Sequence, residues 1–199
     1  MYPIMLKLEN KRVLVVGGGG VATKKTAMLL SQNAQIIVVS PTLTPTLHTY
    51  ALDNEIQWIE REFETTDTQG AFLVIAATNN RDVNALVKEH CSDNQLVNIV
   101  DSPEDSSFYN MAFLNRGRLK IAISTEGASP LLAKQIKQDL NEFFDDNYED
   151  YLNFLLAARE KIKRSVSDEE RKYSLLQELL DSRFRISEEE RERFLLNIQ

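Results

Sequence analysis

Cysteine and histidine are scarce in this chain: among 199 residues there are one cysteine, Cys91, and two histidines, His48 and His90. A lone thiol forms no internal disulfide, and the wide separation of His48 and His90 leaves no metal-ligand spacing. A reducing, cytoplasmic setting is therefore expected, and a resident metal is not. No run approaches the ~20 apolar residues of a membrane span, and Met1 to Leu8 is too short and too weakly basic to read as a signal peptide. Positive charge is also in short supply, with 23 Lys and Arg against 30 Asp and Glu and a formal net charge of −7. That balance argues against nucleic acid or an anionic membrane as partner, since both favour a basic footprint. Any anionic ligand has to be met by a local cluster of positive charge.

What is present is a real core and a glycine turn. A hydrophobic content of 43% over this length suits one nucleotide-binding domain with a smaller appendage, and is too little chain for a TIM barrel. Val13, Leu14, Val15 and Val16 run into Gly17, Gly18, Gly19, Gly20, Val21 and Ala22, a buried strand turning into a helix through glycine. In the pattern G-x-G-x-x-G/A, Gly17 makes the tight turn, Gly19 lets the backbone approach a pyrophosphate, and Ala22 is the small residue that packs helix against strand. The free N–H groups and dipole of the helix that follows hold an anion without a basic side chain.

Apolar runs alternate with helix-period segments through the first half. Strands are expected at Arg12 to Val16, Gln35 to Val39, Ile56 to Ile59, Phe72 to Ala76 and Leu96 to Val100. Helices are expected at Val21 to Gln32, within Thr42 to Asp53, and from Arg81 to about His90. Continuous apolar strands such as Phe72, Leu73, Val74, Ile75 are buried on both faces, as in a parallel sheet covered by helices, so the fold class is a Rossmann-type, doubly wound α/β sheet. Ligands of such sheets gather at the carboxyl ends of the strands, which sets Gly17 to Val21, Ser40 to Thr42, Ala77 to Asn80 and Asp101 along one rim. Beyond about Asn110, Leu119, Ile121 and Ile123 alternate as a one-sided strand, and a helix starts at Ser129 or Pro130 with Leu132, Ile136, Leu140 and Phe143 at helical spacing. From Asn147 onward the chain reads as nearly all helix, with its packing face supplied by leucines 152, 155, 156, 175, 176, 179, 180, 195 and 196 together with Phe194. The acidic group Glu142, Asp145, Asp146, Glu149 and Asp150 lacks a carboxylate-ligand arrangement and reads as a solvated helix junction.

Four segments in fixed order carry a resemblance: VVGGGGVATKK (Val15 to Lys25), AATNNRDVN (Ala76 to Asn84), VNIVDSPEDSSF (Val97 to Phe108) and RGRLKIAISTEGASPLLAKQI (Arg116 to Ile136). Over about residues 1 to 143 the chain resembles the precorrin-2 dehydrogenase family, the dehydrogenase module of siroheme synthase, in its stand-alone form. The resemblance implies an NAD-binding Rossmann domain at 1–112, a small α+β dimerisation region at 113–146 and a helical C-terminal domain at 147–199. It implies oxidation of precorrin-2 to sirohydrochlorin with NAD⁺, a homodimer, and no SAM-dependent methylation.

Carried over residue by residue, the resemblance sets Gly20 and Val21 at the turn contacting NAD and Pro41 and Thr42 beside the adenosine ribose; Thr78 joins this cofactor set on the same rim. An acidic residue for the ribose 2′-OH is missing at the end of the second strand, which reads Val39, Ser40, Pro41, and no basic residue stands by Ser40 to hold a 2′-phosphate; this favours NAD over NADP. Asp101 matches the aspartate on which the family's chemistry depends: loss of hydride from a reduced tetrapyrrole carbon leaves a cation that must shed a proton, and a nearby carboxylate accepts it or stabilises the charge. The residues alone favour Asp101 as a turn cap before Pro103, and it is the resemblance that points to the catalytic role. Ser124, Thr125, Arg116 and Lys134 are the candidate substrate contacts, since the family's substrate carries eight carboxylates; Arg118, Lys120 and Lys137 add to the local positive field. Two positions depart from the family pattern: Gly20 replaces a frequently acidic residue, and Met111 stands where proline is frequent. Two alternatives stay open, a second activity as sirohydrochlorin ferrochelatase and a non-catalytic NAD-sensing module.

Overall fold

The computed structural model describes residues 1–198. The chain divides into two compact units, Met1–Tyr109 and Asn110–Gln199.

In the first unit, strands β1 (Arg12–Val16), β2 (Gln35–Val39), β3 (Gln57–Ile59), β4 (Leu73–Ala76) and β5 (Leu96–Ile99) form a five-stranded sheet of order β3-β2-β1-β4-β5. Every pairing is parallel. Between the strands lie α1 (Gly20–Leu30), α2 (Pro45–Leu52) and α3 (Arg81–Glu89). Alternation along each strand separates two cores. Val13, Val15, Ile36, Val38, Leu73 and Ile75 pack with Ala22 and Leu29 of α1 and Leu47 of α2. Leu14, Val16, Val39, Val74, Ala76, Val97 and Ile99 pack with Val87 of α3. Each fully buried valine or leucine contributes about 1.5–3 kcal/mol, so a sheet buried on both faces holds the unit by apolar transfer. The expected doubly wound α/β sheet is present, and its winding reverses between β1 and β4.

In the second unit, β6 (Ala112–Arg116) pairs antiparallel with β7 (Leu119–Ile123), Leu114 facing Ile121, around a turn in which Gly117 takes φ +55°. The sequence reading placed β7 but not β6. Helix α4 (Pro130–Phe143) packs on this hairpin. Ser129 caps α4, its side chain accepting from the Leu132 N–H at 3.1 Å, and Pro130 takes the first helical position, where its missing N–H costs nothing. The buried residue of α4 is Ala133, whereas Leu131, Leu132 and Phe143 are exposed by 80%, 51% and 63%.

Helices α5 (Asn147–Ser165), α6 (Glu169–Glu178), α7 (Ser182–Ile186) and α8 (Glu188–Asn197) complete the unit. Tyr151, Phe154, Ala158, Ile162, Leu179, Phe184 and Ile198 are buried in its core; of the expected packing face Leu155, Leu175, Leu176, Phe194 and Leu195 pack against them, while Leu180 and Leu196 stand exposed. Phe184 is the hub, with ring centroids 5.3 Å from Phe154 and 5.1 Å from Phe194.

Candidate active site

The carboxyl ends of β1, β2, β4 and β5 gather Gly17 to Val21, Ser40 to Thr42, Ala77 to Asn80 and Asp101 along one rim of the first unit. At the head of β1, Gly17 takes φ +116°, and a Cβ there would lie 2.4 Å from the Ala77 carbonyl oxygen. The adjacent strands therefore close on each other only because this residue is glycine. Gly18, to which the sequence reading gave no role, is more tightly enclosed: a Cβ would lie 1.9 Å from the Thr42 carbonyl oxygen and 2.8 Å from Ser40 Oγ. Gly19 and Gly20 are different, since a Cβ on either meets nothing within 4 Å. Gly19 is the N-cap of α1 with no side-chain cap, and the first turn carries no acidic residue. An open glycine face over uncapped N–H groups fits a pyrophosphate.

Val21 is 48% exposed on this turn, and Pro41 and Thr42 are exposed at the end of β2. Ser40 is buried there, and the Trp58 indole Nε1 donates to its carbonyl at 2.9 Å. The hydroxyls of Thr23 and Thr44 meet at 2.8 Å, which ties α1 to the N-cap of α2. The strand end thus carries hydroxyl and backbone groups, with no carboxylate among Val39 to Thr44.

On the β4 and β5 side, two buried asparagines organise the rim. Asn84, in the first turn of α3, is 1% exposed. Its Oδ1 accepts from the Thr78 N–H at 3.2 Å and the Thr78 hydroxyl at 2.7 Å. Its Nδ2 donates to the Thr78 carbonyl at 3.2 Å and to Asp101 Oδ1 at 2.9 Å. Arg81 Nε stands 3.9 Å from Asp101 Oδ2, with the arginine side chain 88% exposed and that of Asp101 27% exposed. The carboxylate of Asp101 thus turns to α3, while the turn at Pro103 is held by Ser102 and Asp105, whose side chains bond at 2.6 Å. Asn98, on β5, is 6% exposed; it donates to the Phe108 carbonyl at 3.2 Å and accepts from Lys25 Nζ at 3.1 Å. Burial pushes the Lys25 ammonium below the usual lysine range. Lys24 and Lys25 look alike in the sequence, but the 100° step of the helix leaves Lys24 exposed and turns Lys25 toward the sheet.

The four candidate substrate contacts fall in the second unit. Ser124 is exposed and its Oγ accepts from the Glu126 N–H at 3.1 Å. Thr125 Oγ1 braces the start of α4, donating to the Ser129 carbonyl and accepting from its N–H, both at 3.1 Å. Arg116 Nε donates to the Phe144 carbonyl at 2.9 Å and lies 3.4 Å from Asp146 Oδ1, while its Nη2 donates to Asn141. Lys134 is exposed on α4. Among the described residues no helix is long and apolar enough to cross a membrane, and no group of three or more His, Cys, Asp or Glu is placed to hold a metal ion.

Residues 4–112 match a putative NAD(P)-binding family, 116–142 the sirohaem biosynthesis protein central family and 148–194 the SirC C-terminal domain family. The precorrin-2 dehydrogenase of Priestia megaterium is 38% identical over 199 residues, spanning 100% of this chain and 98% of that protein. The precorrin-2 dehydrogenase of Bacillus subtilis is 34% identical, spanning 81% of this chain and 99% of its own length. Siroheme synthase 3 of Aeromonas hydrophila is 38% identical over 81% of this chain, which accounts for 35% of that longer protein. A solved structure titled SirC, precorrin-2 dehydrogenase superposes with a TM-score of 0.88 at 38% identity, covering 100% of this chain and 98% of that one. With a relative of this similarity matched from end to end, the chain belongs to the precorrin-2 dehydrogenase family.

Proposed function

We propose that this protein oxidises precorrin-2 to sirohydrochlorin with NAD⁺, the dehydrogenation step of siroheme synthesis. The observation that carries the reading is the sharing of one rim by an open glycine cradle at Gly19 and Gly20 and a carboxylate, Asp101. The full-length likeness to proteins named precorrin-2 dehydrogenase supplies the substrate. No observation favours the sensing module.

Bound NAD⁺ supplies the hydride acceptor. The chain's own part is to bind, orient and take up a proton. Gly17 and Gly18 shape the turn, and Gly19, Gly20 and Val21 with the first turn of α1 receive the pyrophosphate. Pro41 and Thr42 would flank the adenosine ribose, and Thr78 would border the cofactor beside β4. Of the two hydrogens the substrate loses, the one released as a proton goes to the Asp101 carboxylate; the other would leave with its electron pair to the bound cofactor. Placing that carboxylate within reach of the carbon that loses the proton is general-base catalysis, worth on the order of 10²–10⁴-fold in rate.

The substrate's carboxylates are assigned to Ser124, Thr125, Arg116 and Lys134. The Ser124 hydroxyl and the start of α4, which Thr125 braces, offer hydrogen-bond donors, and the two cations offer the charge that the chain's overall balance lacks. A homodimer is proposed from the exposed apolar side chains of α4, Leu131, Leu132 and Phe143, which have no aqueous role. A cytoplasmic setting fits the lone thiol of Cys91, whose pKa burial pushes up.

Anaerobic incubation of the purified protein with precorrin-2 and NAD⁺ tests the reading. One NADH formed per sirohydrochlorin is expected. Absence of NADH from protein that binds NAD⁺ would refute it.

A further inference from the structure

Asn84 is a buried amide whose hydrogen-bonding capacity is used completely. An asparagine side chain offers two acceptor sites and two donors, and here Oδ1 takes two bonds from Thr78 while Nδ2 gives one to Thr78 and one to Asp101. The orientation of the amide is fixed by chemistry. The Thr78 N–H only donates and the Asp101 carboxylate only accepts, so a flipped amide would set oxygen against oxygen and nitrogen against N–H. The helix explains the reach: side chains tilt toward the N-terminus, so Asn84 leans back over the first turn of α3 onto the rim.

We propose that Asn84 is the positioning residue of the reaction. It holds Asp101 Oδ1 at 2.9 Å and thereby presents Oδ2 as the oxygen that takes the proton. The same side chain grips the backbone of Thr78, so one group registers the base against the segment bordering the cofactor. In the step, the substrate C–H bond that releases a proton breaks as an O–H bond forms on Oδ2, and the hydride leaves to NAD⁺. Arg81 faces the same oxygen at 3.9 Å from an 88% exposed side chain, a loose and solvent-screened partner that leaves Oδ2 available. The inference rests on the reading of Asp101 as proton acceptor.

Asn84→Asp tests it, because this near-isosteric change keeps an acceptor for Thr78 and sets a second carboxylate against Asp101. Two carboxylates in contact share a proton and raise one pKa. The variant is expected to bind NAD⁺ within about threefold of the parent Kd and to lose at least about tenfold in kcat near neutral pH. The acid limb of its kcat/KM profile should move up by about one pH unit or more. A folded, NAD⁺-binding variant with parental kcat and an unmoved limb would overturn the proposal.

The same substitution made on Asp101→Asn distinguishes positioning from scaffolding. Acting through Asp101, it changes the residual rate there by less than about twofold, whereas a further tenfold loss would assign Asn84 to Thr78 alone and overturn the proposal. Asp101→Asn with parental turnover would remove the underlying reading, and the inference with it. If Asn84→Asp fails to fold, Asn84→Ser, which deletes the donor without adding charge, is judged by the same pair of comparisons.

Discussion

The Thr44 N–H donates to the Gly18 carbonyl at 2.9 Å, and a Cβ on Gly18 would lie 1.9 Å from the carbonyl oxygen of Thr42. The loop after β2 is thus seated directly on the glycine turn, and the four glycines divide into two that the fold requires and two that face open space. Gly18→Ala is expected to destabilise the first unit by about 1–3 kcal/mol, the cost of forcing backbone apart. Gly19→Ala costs less than about 1 kcal/mol in stability, as an N-cap change, yet weakens NAD⁺ at least about tenfold by filling the cradle. Thermal melts and NAD⁺ titrations of the two variants check the division; equal melting temperatures would contradict it.

Arg61 and Asp67 form a two-bond pair at 2.8 and 2.6 Å, and the Glu64 N–H adds a third bond to the same carboxylate at 2.9 Å. Foremost through the Arg61 hydrogen bond, the Asp67 carboxyl is held below its ordinary value of 3.8. A depressed aspartate contributes stability that is fully present above that ordinary value and lost as pH falls through the lower, folded one. Asp67→Asn should therefore melt below the parent near neutral pH, with the gap narrowing as the pH is taken below 3.8. A gap independent of pH would show that shape, not charge, is what the pair contributes.

In the second unit, Phe184 is 1% exposed and Tyr151 donates its hydroxyl to the Leu179 carbonyl at 2.8 Å. Phe184→Ala should cost about 3–5 kcal/mol by opening a cavity at the ring cluster. Tyr151→Phe should cost about 1–2 kcal/mol by leaving a carbonyl without its donor. Denaturant titrations followed by far-UV circular dichroism read both, and equal costs would contradict the packing described.

The first unit was legible in the sequence because β1, β2 and β4 are covered on both faces and so read as apolar runs, and β5 shows the same burial with a single polar interruption at Asn98. β6 was not: of Ala112 to Arg116 only Leu114 is buried, and the one local signal is Gly117 at the turn. The aromatic core of the second unit was hidden for a similar reason, since Phe184 sits between Arg183 and Arg185 in a five-residue helix too short to show a period. The leucine-rich stretches mark part of the packing face, Leu155, Leu175, Leu176, Leu179 and Leu195, but also include Leu180 and Leu196, which face solvent. At the site, the glycine turn and Asp101 were named from motif and rim position. Asn84 stood in a quoted segment without a role, because its contacts join residues 6 and 17 positions away. The signal available was an asparagine four residues after the Asn80 cap, placed to lean back over the helix start.

The central claim is that Asp101 takes the proton while the glycine cradle holds the cofactor, and turnover of Asp101→Asn beside its NAD⁺ affinity tests it most directly. The substitution removes the base and keeps the shape. The account predicts a kcat lowered on the order of 10²–10⁴-fold with NAD⁺ binding unchanged; a variant that forms NADH from precorrin-2 at the parental rate would contradict it.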